Sequence, residues 1–334
     1  MRRYELHKSN FINFNSNDEL RKLPGTDLTN LILEMEKYFL SLRETINLDD
    51  YISFGLELEF EEAKAIPAED SLKDFPGWLY KYDGTVREKI DFIDYGGELV
   101  SPILYDKEET WLDLDKICKT LLMLKATAEE KAAGHIHFGS QIIGNDYKYW
   151  VNLVKLWTIY ENIIYRFSFG EQAKARNLLK TYAYPESRDF KFLLNFLNKY
   201  DNTELLITKL RKRRKTGISF AYVNSGKFAK YNTLEVRCPN MSFNSAIWQN
   251  NVNFFAKLFL YCKSNNFDEE FINQKLKKYK YKDYSLNLYH EIYLEEALEL
   301  SDLIFNNNID KIYFLKQYLK GFNLKKDTNK SISL

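Results

Sequence analysis

Phe54-Gly55-Leu56-Glu57-Leu58-Glu59-Phe60 alternates large apolar residues with a glycine and two glutamates. Residues two apart in a β-strand point to the same side of a sheet. The stretch therefore predicts a strand with one buried, apolar side. Its other side would carry the carboxylates of Glu57 and Glu59.

Three later stretches repeat this alternation with acidic or histidine side chains. They are Gly96-Gly97-Glu98-Leu99-Val100-Ser101-Pro102, Gly134-His135-Ile136-His137-Phe138 and Thr233-Leu234-Glu235-Val236-Arg237. If the four strands share a sheet, one face collects carboxylates and imidazoles. Carboxylates crowded on one surface repel each other unless a cation neutralises them. Oxygen ligands in that number suit a hard divalent ion, Mg²⁺ or Mn²⁺, so the sequence predicts a metal enzyme.

Each motif taken alone also has a simpler interpretation. Glu57 and Glu59 could face solvent on an edge strand, the histidines could be structural, and Glu235 with Arg237 could form an ordinary cross-strand ion pair. The occurrence of all four motifs in one chain favours the metal site.

Strands and long helices succeed one another along the chain. The apolar spacing predicts helices from Asp27 to about Ile46 and around Trp111–Leu122, Trp150–Ile164, Phe190–Leu197, 292–306 and 309–320. Asn244 can cap another helix. Strands are predicted at about 52–61, just before the Asp83-Gly84 turn, from Gly96 to Pro102, at the histidine motif, and at about 217–224 and 231–237. This order predicts an α+β fold, with an antiparallel sheet packed on helices on one face and its open face forming the site.

The composition excludes several classes of protein. Forty-eight basic and 47 acidic residues give a net charge of +1, so no overall charge attracts nucleic acid or an anionic membrane. The N-terminus lacks the apolar core of a signal peptide and no stretch is long and apolar enough to cross a membrane, so we expect a cytoplasmic protein. The Lys275–Lys282 stretch is interpreted as a solvated surface. Cys118, Cys238 and Cys262 lack metal-site spacing and are expected to be reduced.

In this order, the motifs resemble the amidoligase family of carboxylate–amine ligases. The resemblance spans roughly residues 52–260 and rests on Phe54–Phe60, Trp78 with Asp83-Gly84, Gly97–Pro102, Gly134–His137 and Tyr231–Arg237. It implies the catalytic fold of glutamine synthetase and glutamate–cysteine ligase. It also implies a catalytic domain over residues 51–262. The apolar spacing on either side predicts an N-terminal helical segment over 1–50 and a C-terminal helical extension over 263–334.

The resemblance further implies a set of metal ligands. Glu57 and Glu59 are expected to bridge two divalent ions, and Glu98 to complete the first. His135 is expected to bind the second ion together with Glu57 and Glu235, on the side that faces the phosphates of ATP.

Residues that would contact the nucleotide follow from the same resemblance. His137 is expected near ATP, and Arg237 on a phosphate. Arg176, in a polar loop, is a further candidate catalytic arginine. Glutamine synthetase supplies a second glutamate beside the one that matches Glu98, and here only Asp83 or water could replace it.

One position departs from the family pattern. Ser219 stands where many amidoligases have an arginine. The basic run 211–215 could compensate, with Arg213 binding the nucleotide and Arg214 acting in catalysis. The same run could equally be the solvated end of a helix.

The resemblance implies an ATP- and Mg²⁺-dependent ligase (or one using Mn²⁺) that forms an amide or isopeptide bond through an acyl phosphate. Its substrates would be a small molecule or peptide with a carboxylate, and an amine acceptor. Two alternatives remain open at this point. The chain could be a non-catalytic nucleotide- or peptide-binding protein of the same fold, or a phosphotransferase of the related guanidino-kinase type.

Overall fold

A computed structural model describes residues 40–172, 174–197, 202–212, 214–223, 232–279 and 293–320. Its centre is one antiparallel sheet of seven strands, in the order β2-β4-β1-β5-β7-β6, with β3 pairing along β4. The strands are β1 (Phe54–Lys64), β2 (Leu79–Lys81), β3 (Glu88–Ile90), β4 (Ile93–Val100), β5 (Gly134–Gly139), β6 (Ile218–Ser219) and β7 (Thr233–Val236). The predicted α+β class with an open antiparallel sheet is confirmed.

Ten α-helices lie in the described part of the chain. They are α1 (Ala65–Ser71), α2 (Glu108–Met123), α3 (Tyr147–Ser168), α4 (Leu179–Tyr182), α5 (Ser187–Leu197), α6 (Thr203–Leu210), α7 (Ser245–Cys262), α8 (Glu269–Lys278), α9 (Leu294–Ile304) and α10 (Asn308–Tyr318). The predicted cap of α7 is confirmed, because the side chain of Asn244 accepts the N–H of Ala246 at 3.0 Å. None of these helices combines the length and the apolar character needed to cross a membrane.

The apolar face of the sheet packs against helices α2 and α7. Phe54 of β1 stacks on Trp111 of α2 with ring centroids 5.3 Å apart. Phe138 of β5 meets Phe259 of α7 edge to face at 5.3 Å. Because side chains alternate along a strand, burying Phe54, Leu56, Leu58 and Phe60 on this face turns Glu57 and Glu59 toward the other.

Several predicted elements have different bounds in the structure. Residues 40–46 are not helical, so the predicted N-terminal helix does not reach Ile46; its first part lies outside the described residues. The carboxylate of Asp106 accepts the backbone N–H groups of Ile46 and Leu48, so these N–H groups are not bonded within a helix. Of the strand predicted at 217–224, the described residues form a strand only at Ile218–Ser219. The elements α1, α4, α6, α8 and β3 were not predicted.

Close packing at Gly134 ties β5 to helix α7. A methyl group added there would lie 2.5 Å from the ring of Trp248 and 3.2 Å from the carbonyl oxygen of Asn240. Trp248 is only 1% exposed and has little room to move. We expect Gly134→Ala to lower the free energy of unfolding by about 1–3 kcal/mol, measured as a lower midpoint of thermal unfolding by circular dichroism.

Gly84→Ala is the matched control for this prediction. Its added methyl group would meet no atom closer than 3.7 Å, so we expect its midpoint to stay near that of the wild type. A midpoint for Gly134→Ala as high as that of Gly84→Ala would contradict the packing of β5 on α7.

Candidate active site

The register of the sheet brings the four sequence motifs together on its polar face. Glu59 of β1 lies opposite Glu98 of β4, and Glu57 lies opposite His135 of β5. His137 lies opposite Glu235 of β7. Directly paired residues of antiparallel strands point to the same face. Residues separated by almost 180 positions in the sequence thus form one cluster.

Two groups of side chains in this cluster have the geometry to hold a metal ion. One is formed by Glu57, Glu98 and His135, and the other by Glu57, His137 and Glu235. Within each group the potential ligand atoms lie within 4.8 Å of one another. Glu57 belongs to both groups, which makes it the centre of the cluster.

The two histidines support the fit of a metal at these groups. The Nδ1 atom of His135 lies 2.9 Å from Oε2 of Glu57, and the Nε2 atom of His137 lies 3.1 Å from Oε1 of the same residue. Nε2 of His135 is buried without a hydrogen-bond partner. A buried unpaired polar atom is costly, and a metal ion would satisfy it. Carboxylates supplemented by imidazole fit Mg²⁺ or Mn²⁺.

The titration of the carboxylates also reflects their crowding. Burial and the neighbouring Glu57 carboxylate raise the pKa of Glu98 to about 9. Burial would raise the pKa of Glu57 as well, but hydrogen bonds with His135 and His137 outweigh burial and hold that pKa well below its ordinary value. Glu57 is therefore the anionic centre, whereas Glu98 keeps a proton that a bound divalent cation would displace.

Glu59 and Glu61, the next residues on the same face of β1, hold the loop before β5. Oε2 of Glu59 accepts the N–H of Ala133 at 2.8 Å, and its Oε1 lies 3.8 Å from Nε2 of His135. Oε1 of Glu61 accepts three successive backbone N–H groups, from residues 130–132, at 2.8–3.3 Å. One oxygen of Glu59 still points toward the cluster, so its predicted bridging role stays a prediction.

The cluster opens into a cavity of about 390 Å³. All five predicted metal ligands line it, as does Asp83, the proposed replacement for the missing second glutamate. Five cationic residues also line the cavity: Lys131, Arg176, Arg214, Lys215 and Arg237. The cavity therefore combines a carboxylate floor with cationic walls, a combination that suits an anionic ligand held through metal ions.

The three predicted arginines in the described chain have different surroundings. Arg237 forms an ion pair with Glu235 and donates from Nε to the carbonyl oxygen of Tyr182 at 3.0 Å. Arg176 is buried and donates to the carbonyl oxygens of residues 237–239 at 2.8–3.2 Å. Burial lowers the pKa of Arg176 to about 10. Arg214 lies at the exposed rim. The donors of Arg176 are thus used to hold the backbone after β7, whereas the guanidinium group of Arg214 remains available to a ligand.

The structure shows where the arginine that Ser219 replaces would lie. Ser219 of β6 lies opposite Glu235 and lines the cavity, so an arginine there would have reached the same space. Arg214 lines this cavity from the segment before β6. Arg213, the other proposed substitute, lies outside the described residues.

The pairing of histidines with carboxylates differs from the arrangement that the family resemblance implied. His135 was expected beside Glu57 and Glu235, with His137 nearer the nucleotide. In the structure His137 groups with Glu57 and Glu235, while His135 groups with Glu57 and Glu98. His135 still lies 3.9 Å from Glu235, because the cluster is compact.

Sequence reasoning missed several residues of the cavity wall. Lys131, Tyr182 and Tyr222 line it, but each lies in an irregular segment or at a helix end, where no period predicts the direction of a side chain. The ring of Tyr222 lies 6.1 Å from that of His137. The one signal in the sequence that places Lys131 near the site is its position three residues before Gly134 and the histidine strand.

Comparison with known proteins gives an independent result. A family model described as "Putative amidoligase enzyme" matches residues 67–259, more than half of the chain. The comparison with curated protein sequences found no match. The family match begins after β1, so the placement of Glu57 and Glu59 in the site rests on the sheet register. The chain belongs to this amidoligase family.

Proposed function

We propose that the protein is an ATP- and Mg²⁺-dependent carboxylate–amine ligase, able to use Mn²⁺, which forms an amide or isopeptide bond through an acyl phosphate. We also propose that its sheet is a catalytic sheet of the glutamine synthetase type. The observation that carries this proposal is the pair of carboxylate–histidine groups that share Glu57, next to a cavity with cationic walls. Membership in the amidoligase family supports the same class of reaction.

The proposed reaction needs two bond exchanges. The carboxylate oxygen of the first substrate attacks the γ-phosphorus of ATP, the bond to ADP breaks, and an acyl phosphate forms. The amine then attacks the acyl carbon, inorganic phosphate leaves, and the amine nitrogen loses a proton as the amide forms. Divalent ions bound at the cluster would supply neutralisation of the phosphates and alignment of the reactants.

The protein's own residues account for the remaining requirements. Glu57 would serve both metal positions, with Glu98 and His135 on one side and His137 and Glu235 on the other. Arg237, Arg214 and Lys215 present cations on the Glu235 side of the cavity, where they can hold the negative charge of a triphosphate. Binding both substrates in one cavity makes the reaction effectively unimolecular, which lowers its entropic barrier.

The decisive experiment follows ADP release with purified protein, ATP and Mg²⁺ against pools of carboxylates and amines. Hydroxylamine serves as a small amine that converts an acyl phosphate into a coloured hydroxamate. ADP and hydroxamate that appear together, and only with a carboxylate and Mg²⁺, support the ligase. ATP binding without turnover in any pool would instead support the binding protein. Phosphoryl transfer to a guanidino compound would support the guanidino-kinase type.

Arg214 provides a test of the nucleotide side of the cavity. We expect Arg214→Ala to lower turnover by about 10²–10³-fold, because a phosphoryl-transfer site without an arginine at Ser219 depends on another cation. Lys212→Ala is the control, since Lys212 is exposed in the same run and does not line the cavity. Equal and small effects of the two substitutions would mean that the run is a solvated surface.

A further inference from the structure

We infer that the carboxylate substrate carries a second anionic group, which the ammonium group of Lys131 binds on the Glu59 side of the cavity. This inference rests on the proposed function and names the chemical class of the acid that the site would activate.

Lys131 lines the cavity without a charge partner. In the ranges that the structure describes, its ammonium group forms no ion pair or hydrogen bond; its backbone N–H alone is bound, to Glu61. An unpaired cation on a cavity wall costs little while water reaches it. It also gives the cavity a preference for a ligand that has an anionic group at the matching place.

The loop that carries Lys131 is fixed from three sides. Glu61 binds the N–H groups of residues 130–132. The carbonyl oxygen of Glu130 accepts the N–H of Asn177 at 2.8 Å, and that of Ala132 accepts the N–H of Met241 at 3.2 Å. The backbone position of the lysine is therefore set before a ligand binds, and preorganisation of the loop lowers the entropic cost of binding.

The other cations of the cavity wall either lie on the Glu235 side or already use their donors within the protein. Arg237 contacts Glu235 and Tyr182, and the ammonium group of Lys215 lies 4.7 Å from the centre of the Tyr182 ring. These cations, with Arg214, therefore surround the side proposed for the triphosphate. Arg176 is the other cation near Glu59, but its guanidinium donates to three backbone carbonyl oxygens. Among the cations that line the cavity, Lys131 is left as the available one on the Glu59 side.

The position of Lys131 relative to the metal groups indicates where the second anionic group of the substrate would lie. Ala133 lies beside Glu59, and Lys131 is two residues further from His135 and the metal groups. An acid whose reacting carboxylate faces the metal groups would direct its far end toward this lysine. A second carboxylate, phosphate or sulfonate at that end would complete the contact. A charged hydrogen bond of this kind should favour such acids over neutral-tailed ones by about 10–100-fold in kcat/KM.

The test compares acids of equal length with one and with two carboxylates. Hydroxamate formation with ATP, Mg²⁺ and hydroxylamine is measured for the pairs succinate and butyrate, glutarate and pentanoate, and adipate and hexanoate. We expect at least one dicarboxylate to exceed its partner by about 10-fold or more. Equal kcat/KM within every pair would overturn this inference and leave the ligase intact. No hydroxamate from any acid would count against both the ligase and this inference.

Variants of Lys131 test whether this residue causes the preference for dicarboxylates. Lys131→Met, which keeps the length of the side chain, should lower kcat/KM for the preferred dicarboxylate by about 10-fold or more and change that for the monocarboxylate little. Lys131→Arg should restore most of the preference, and Lys116→Ala, on the exposed side of helix α2, should change neither. The KM for ATP should stay constant in all three variants. An equal loss for both acids in Lys131→Met would overturn the assignment, because that result indicates a structural role.

Discussion

Glu57→Gln is expected to abolish metal-dependent ligation while the protein stays folded. Glutamine keeps the shape of the side chain but removes the one anionic ligand that both metal groups share. Several kcal/mol of charge stabilisation come from metal ions at such sites, so turnover should fall by about three orders of magnitude or more. The measurements are ADP release at saturating ATP and the midpoint of thermal unfolding.

Glu109→Gln is the matched control for this change. Glu109 lies exposed in the first turn of helix α2 and does not line the cavity, so turnover should be unchanged. Near-normal turnover of Glu57→Gln at limiting Mg²⁺ would show that Glu57 is not a metal ligand.

Arg237→Lys is expected to have the second largest effect. A guanidinium group offers several donors in a fixed plane, and Arg237 already uses two of them for Glu235 and the carbonyl oxygen of Tyr182. A lysine cannot hold those two groups and contact a phosphate at the same time. We expect turnover to fall by about 10²–10³-fold, as for the loss of one donor to a developing negative charge.

Two measurements separate binding from transition-state stabilisation at this residue. Unchanged ATP affinity with reduced turnover at saturating ATP would place the contribution of Arg237 in the transition state. Weaker ATP affinity with normal maximal turnover would limit it to binding. Arg188→Lys, on helix α5, is the control and should match the wild type. Wild-type kinetics in Arg237→Lys would contradict any contact with a phosphate.

The strands that carry the metal ligands could be predicted from the sequence because their period is short and local. Alternation over Phe54–Phe60 is enough to place Glu57 and Glu59 on one face, and the same holds for the histidines of β5. The pattern does not contain the register between strands. The structure therefore supplies the fact that Glu59 meets Glu98 and that His137 meets Glu235.

Other features escaped prediction because they depend on contacts distant in the sequence. Glu61 continues the alternation of Glu57 and Glu59 but binds loop N–H groups. Arg176 was predicted from its charge, whereas its donors are used by backbone carbonyl oxygens after β7. Lys131 carries no periodic signal, since its loop is placed by Glu61, Asn177 and Met241.

Direct measurement of metal binding tests the central claim that Glu57 joins two metal positions. Mn²⁺ can be titrated into the protein and followed by electron paramagnetic resonance of the free ion, without any substrate. We expect about two Mn²⁺ ions per wild-type chain, retention of one in Glu98→Gln, and loss of tight binding at both positions in Glu57→Gln. Wild-type Mn²⁺ binding in Glu57→Gln would contradict the account.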